Sequence, residues 1–303
     1  MAYQFEADED PDAGVRRIVR ERIDDAMKQL DRTGDKQHKG IHEARKRCKE
    51  IRAVLRLTRR PLGAHYRGEN EAFRDVARGL ASSRDAQAVV EAWDALRDRF
   101  GECLATDGDG IRQGLVARRD ALLAETGDIG ASLESAREAL SQARARIAEW
   151  PEIPGFPDLA AGAARCYRRG EARLRDAQRG PSIEVLHEWR KRVKDYWYHT
   201  CLLRGVWPGI MTAWQRELKA LSDCLGDDHD LMVLRSALLA EPERYGGDDR
   251  LTVPLMHMGQ RQEELRAEAF RLGRRLYSES AEAYQRRLAG WWDLWRDDCQ
   301  QQY

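Results

Sequence analysis

The chain has 303 residues, of which 42% are hydrophobic, 34% charged and 8% aromatic, a balance that fits a soluble helical protein and excludes a disordered one. Lys plus Arg equals Asp plus Glu at 52 each, so any functional basic surface must come from segregation of charge rather than excess. No apolar run approaches about 18 residues, which excludes a transmembrane helix, and the acidic opening MAYQFEADEDPDAG lacks the apolar stretch of a secretion signal.

Almost every segment reads as helix: Ala, Leu, Arg and Glu dominate, β-branched runs are absent, and Gly and Pro gather between the runs. The first helix carries Arg16, Arg17 and Arg20 and stops at DRTGDKQHKG. A basic stretch, IHEARKRCKEIRAVLRLTRR at 41–60, runs to the break RRPLGAH, and further breaks follow at ATDGDG and AETGDIGAS. The strongest punctuation is EWPEIPGFPDL at 149–159, with three prolines near the middle of the chain. Beyond it the breaks fall at QRGPS, RGVWPG and EPERYGGDD. Helices of about 12–25 residues fit between them, roughly four in each half, which predicts an all-α fold of helices on helices. The six cysteines are scattered, with no CxxC pair, and read as reduced, buried thiols of a cytoplasmic protein.

The two halves repeat each other. Adding 145 to a position maps the 41–60 stretch onto LHEWRKRVKDYWYHTCLLRG at 186–205, so that His42 lands on His187, Arg45 on Arg190, Lys46 on Lys191 and Lys49 on Lys194. The same offset carries GLASSRDAQAVV onto CLGDDHDLMVLR and Asp85 onto Asp230. The chain has eight lysines, and four of them occupy these matched positions. This is a duplication, with repeats at about 12–150 and 158–300 joined by a Pro-rich linker at 150–157.

On a helix at ~100° per residue, His42, Arg45, Lys46, Lys49, Arg52, Arg56, Arg59 and Arg60 fall within an arc of roughly 140°. Ala44, Cys48, Ile51, Val54, Leu55 and Thr58 take the opposite side and are predicted to pack. Glu43 and Glu50 sit at the flank beside Arg47, where a solvated ion-pair face is expected. The second stripe comprises His187, Arg190, Lys191 and Lys194, flanked by Glu188, Arg192 and Asp195. Like charges at i,i+4 repel by a few tenths of a kcal/mol, and solvation alone gives no reason to exclude acids from both stripes. An anion gives one, although Asp85, Asp227, Asp228 and Asp230 are candidates to neutralise part of the charge.

The first stripe extends over about 27 Å, too long for one phosphate and suited to a linear polyanion. Arg gives bidentate phosphate contacts, Lys gives adaptable point charges, and a protonated His donates to phosphate. Weaker candidates are Arg20, Arg168 and Arg169 in neighbouring helices. Arg74 and Lys219, both basic and 145 apart, join them.

These residues resemble the CHAD family, the conserved histidine α-helical domain. The likeness rests on HEARKRCKEIR at 42–52, HEWRKRVKDYW at 187–197 and the later LASSRD and LGDDHD segments, and it spans about 8–300 as one domain. The resemblance implies two pseudo-symmetric four-helix repeats packed around a basic central cavity. It also implies non-catalytic binding of inorganic polyphosphate, often at polyphosphate granules, with polyphosphate-metabolising enzymes as further partners and no cofactor. Trp197 and Cys201 stand where the first repeat has Arg52 and Arg56, and His229 replaces Arg84, so binding is expected to be asymmetric.

Two other functions compete. The His229–Asp230 doublet resembles that of helical HD-class metal-dependent phosphohydrolases, but the matched Arg84 cannot ligate a metal. Nonspecific nucleic-acid binding would use the same stripes, yet Trp189, Tyr196, Trp197 and Tyr198 fall largely on the packing side rather than on a stacking platform. The tryptophans Trp291, Trp292 and Trp295 are expected to pack a final helix into its own core. No catalytic residue, no metal and no membrane partner is expected.

Overall fold

A computed structural model describes residues 3–80, 82–125 and 129–301, without the side chains at 35, 82–85, 102, 105–107, 123 and 125. The described residues form α-helices and short 3-10 turns, with no strand. The helices are α1 (Pro11–Leu30), α2 (Gln37–Leu57), α3 (Arg59–Leu62), α4 (His65–Gly79), α5 (Ser82–Phe100), α6 (Ala105–Glu125) and α7 (Ile129–Arg146), followed by α8 (Phe156–Arg179), α9 (Ile183–Leu202), α10 (Pro208–Ala240), α11 (Asp248–Leu276) and α12 (Ala281–Gln300). No helix among the described residues is long and apolar enough to cross a membrane.

Local chemistry sets several of the starts. Asp10 accepts the backbone N–H of Asp12 ahead of Pro11, and Ser182 and Ser280 accept the N–H of Val185 and Ala283 at the heads of α9 and α12. The expected break at ATDGDG does not occur, because α6 already begins at Ala105. Gly108 is buried there against the Arg97 side chain of α5, and Arg97 pairs with Asp109 at 2.9 Å, so tertiary packing overrides the weak local propensity. Helices α10 and α11, at 33 and 29 residues, also exceed the expected length. In α10 the LGDDHD segment stays helical because Asp228 is buried and pairs with Arg266 of α11 at 2.7 Å.

Helices α1, α2, α4, α7, α8, α9 and α12 share one hydrophobic core with the first part of α10 and the last part of α11, and α5, α6 and the remaining parts of α10 and α11 share a second. Both cores draw on both halves of the sequence. The Pro-rich linker is packed rather than loose: Trp150, Ile153 and Phe156 are buried, and Asp12 accepts the Ile153 N–H at 3.1 Å. Arg16 of α1 donates to the carbonyls of Trp150 and Pro151 at 2.8 and 3.2 Å, which fixes the strap against the first helix. The two halves meet where α8 lies on α2. A Cβ on Gly162 would fall 2.0 Å from the Leu57 carbonyl oxygen, so the close approach requires glycine.

Trp292 stacks on Phe156 with 4.0 Å between centroids, and Trp189, Tyr196 and Tyr198 are buried, as their spacing predicts. Trp291 and Trp295 are covered only in part. The six cysteines are free; Cys48 and Cys166 are buried and burial pushes their thiols up to about 12 and about 11, whereas Cys103 is exposed.

Candidate functional site

The site is built on α2 and α9, whose apolar backs hold them in the larger core. Ala44, Cys48, Ile51, Val54 and Leu55 of α2 and Thr58 at its C-cap are all buried, as are Trp189, Val193 and Tyr196 of α9. The charged fronts are thereby turned away from that core. Two of the four flanking acids, however, are not solvated. Glu50 and Asp195 stand 145 residues apart and are 4% and 6% exposed. Each takes the arginine three residues before it, Arg47–Glu50 and Arg192–Asp195, both at 2.9 Å. Burial raises the Glu50 carboxyl above its ordinary value despite the opposing pull of Arg47 and Arg22. A carboxylate this far from water needs its cation, so Arg47 and Arg192 belong to the fold.

Helices α2 and α9 run antiparallel where they touch. Arg56 Nη1 lies 3.1 Å from Asp195 Oδ1, and one helical turn along α9 the buried His199 approaches the Ala53 carbonyl at 3.0 Å. A carbonyl only accepts, so His199 carries its proton on Nε2 and is neutral, with burial lowering its pKa to about 4. The pair related to Arg56 and Asp195 by the 145 offset is Cys201 and Glu50, and burial, helped by the Glu50 charge, raises the Cys201 thiol to about 12. The first-half arginine is thus balanced by a second-half acid, while its counterpart is a thiol.

Around this crossing, cations face cations. Lys194 is lowered to about 7 by burial first, then by Arg190 and by Lys49 of the other half, with Asp230 and Asp223 opposing. Arg52, whose Nε donates to Asn70 at 3.1 Å, is lowered to about 10 by burial, Arg56 and Arg74. Arg169 is lowered by burial and then by Arg192. Three cations from α2, α8 and α9 are therefore each disfavoured by desolvation and by a like charge. His187 and His229 lie with 4.8 Å between ring centroids and their planes tilted by 36°, and both are held below their ordinary value, chiefly by burial and also by Arg190. The buried His187 Nδ1 and Arg190 Nε have no hydrogen-bond partner among the described residues. Such orphaned polar atoms cost about 1–3 kcal/mol each unless a ligand or water meets them.

The predicted residues divide. Lys49, Arg52, Arg56, Arg74, Arg169, His187, Arg190 and Lys194 gather at or beside the crossing. His42 is exposed on α2, and Arg45 and Lys46 are half-buried there, with Lys46 close enough to Glu50 and Cys201 to lower both. Lys191 is exposed and bound to Glu188 at 2.6 Å, and Lys219 to Asp223 at 2.6 Å, so each carries a local counter-charge. Arg74 likewise pairs with its neighbour Asp75 at 2.9 Å.

Two candidates lie elsewhere. Arg168 reaches Glu282 of α12 at 2.6 Å. Arg20 stands on the α7-facing side of α1, one turn from Arg16 and from Asp24, which pairs with Arg144 of α7. Neither joins the crossing, because each follows the face of its own helix that packs on a different neighbour. Arg17 is likewise held at home by Glu9 at 2.6 Å.

Of the acids proposed as neutralisers, Asp228 binds Arg266 instead, Asp230 opposes the depression of Lys194, and the Asp85 side chain lies outside the described residues. The neutralising acid that sequence reasoning left at the flank is Asp195, and its burial was the missing signal. Asn70, and Arg165, which donates to the Arg56 carbonyl at 2.6 Å, had no sequence signal at all.

Among the described residues no three His, Cys, Asp or Glu side chains gather as a metal site would require. The model of the CHAD domain family matches residues 11–239 of the chain. No curated protein matches it.

Proposed function

The chain belongs to the CHAD domain family, and from that premise we propose that it binds inorganic polyphosphate without cleaving it, through the facing basic fronts of α2 and α9. One observation carries the reading: Lys194, Arg52 and Arg169 are each depressed by burial and by a neighbouring cation. Cations concentrated in this way are stabilised by an anion with many charges. A flexible polyphosphate chain meets the point charges of Lys49 and Lys194 and the forked guanidiniums of Arg52 and Arg190 without needing one fixed geometry.

In the same reading the two halves are pseudo-symmetric repeats whose basic fronts line a central cavity, and binding is heavier on the first half. The protein then works in the cytoplasm at polyphosphate granules, beside the enzymes that make or degrade the polymer. The metal-dependent phosphohydrolase and the nucleic-acid binder are the competing readings.

The test is a titration with long-chain polyphosphate at about 150 mM salt, competed with pyrophosphate, ATP, and single- and double-stranded DNA. The proposal expects long polyphosphate alone to compete, with at least tenfold weaker binding to the Lys49→Glu/Lys194→Glu protein. It also expects no phosphate release with Mg²⁺ or Mn²⁺. Equal competition by DNA, or metal-dependent phosphate release, would replace it by one of its rivals.

A further inference from the structure

The C-terminal helix has a second face that the core does not use. Trp291, Leu294, Trp295 and Asp298 of α12 come together on one side of the helix and form a groove of about 510 Å³ with Val206 and Trp207. Gly205 lets the wall close: a Cβ there would stand 2.9 Å from Trp295. Trp207 and Trp291 meet edge to face at 5.0 Å, yet Trp207 remains 49% exposed and Leu294 62% exposed. The volume lies within the ~300–1,000 Å³ range of ligand pockets. Burying tryptophans only in part while exposing a leucine beside them leaves apolar surface that water does not favour.

The charge of this groove is one-sided. Asp298 is the charged residue of its lining, and Asp297 flanks it one position along the exposed end of α12. The carbonyl end of α12 lies in the same place and adds negative potential. The nearby cations are turned elsewhere. Arg296 donates to the Glu9 carbonyl at 2.9 Å, Arg204 to Gln4 at 3.0 Å, and Arg287 is held by Glu279 between the rings of Trp214 and Trp291. That last contact shows a guanidinium already seated 4.6 Å from the Trp291 centroid, which is the chemistry a partner cation would repeat on the open rings.

We infer that this groove docks a cationic amphipathic segment of a protein partner, with apolar anchors entering between Trp207, Trp291 and Leu294 and a Lys or Arg meeting Asp298. The occupant is basic because the rim is acidic and the indole faces attract cations, whereas an acidic segment would meet Asp297, Asp298 and a helix carboxyl end. This site is separate from the basic crossing of α2 and α9 and stands whether or not that crossing binds polyphosphate.

The experiment uses the full chain and a fluorescein-labelled 14-residue Leu/Lys peptide patterned as an amphipathic helix, with its Leu/Glu twin and spermidine as comparison ligands. Anisotropy is expected to show saturable binding of the Leu/Lys peptide and none of the other two. Trp207→Ala with Leu294→Ala weakens it at least tenfold, because truncating central anchors removes most of an interface's affinity. Asp298→Asn weakens it three- to fivefold and flattens its salt dependence. Both changes are at exposed positions, and a melting temperature within 2 °C of the parent, an order-of-magnitude tolerance for surface changes, checks the fold. Equal binding by the Leu/Glu twin would overturn the proposal, as would binding unaffected by the Trp207/Leu294 change. Sedimentation showing that the unliganded protein dimerises through this face, and that the double variant does not, would assign the groove to a second copy instead.

Discussion

Lys194 is the residue where stability and the proposed function oppose each other. Its pKa falls from 10.5 to about 7 because burial, Arg190 and Lys49 all disfavour the charged form. That displacement is worth about 5 kcal/mol at ~1.36 kcal/mol per pH unit. Solvent screening at a half-buried side chain reduces it to about 1–2 kcal/mol. The sign follows from the depressed value of a cation: above pH 10.5 the lysine is neutral folded and unfolded, the penalty grows as pH falls toward about 7, and it is full below that. Lys194→Met keeps the stem and removes the charge. It is expected to raise the melting temperature by about 2–4 °C at pH 6.5 and low salt, and by about a third of that at pH 9.5. Under the proposed function the same change weakens polyphosphate binding at least tenfold. The parent protein's affinity should also fall as pH rises from 7 to 9, because the anion must first recruit a proton to Lys194. Thermal melts by circular dichroism at the two pH values, paired with binding titrations, check this. A variant less stable at pH 6.5, or one equally stabilised at both pH values, would refute the electrostatic account.

Three further outcomes follow from the same geometry. Arg47→Ala strips Glu43, Asp25 and buried Glu50 of a shared cation, and a denaturant titration should show a loss of about 2–3 kcal/mol. His199 is neutral and buried with a pKa of about 4 against 6.5, so its contribution is whole above pH 6.5 and is lost as pH falls toward 4. The stability gap between the parent and His199→Gln should therefore narrow by about 2–3 kcal/mol between pH 7 and pH 4, measured by urea unfolding. Gly162→Ala places a methyl against the Leu57 backbone, which cannot swing aside as a side chain can; α8 must lift from α2, at a cost of 3 kcal/mol or more by order of magnitude.

How much of this was legible beforehand differs by level. The opposite faces of α2 could be read from spacing because a helix fixes the angle between residues, and all six positions expected on its packed side are buried. Proline marked breaks at Pro151, Pro181 and Pro208, where it removes a backbone donor, although Pro254 is buried inside α11 without ending it. They were not legible at 105–110, where Gly and Asp only weaken a helix and Arg97 from a neighbour decides. Arg20 and Arg168 lie apart from the crossing for a related reason: which neighbour a basic residue faces is set by the helix against which its own helix packs.

The sequence by itself determined that the chain is helical and which charges share a face of α2, because these depend on the local geometry of one helix. Only the tertiary structure decided that α2 and α9 run antiparallel and that the charge of Lys49 is felt at Lys194 of the other half. Only it showed Asp195 buried against Arg56, and the indoles of α12 left open beside Trp207. Those facts depend on how helices distant in sequence exclude water from one another, and burial turns the same charges and rings from solvated surface into a site.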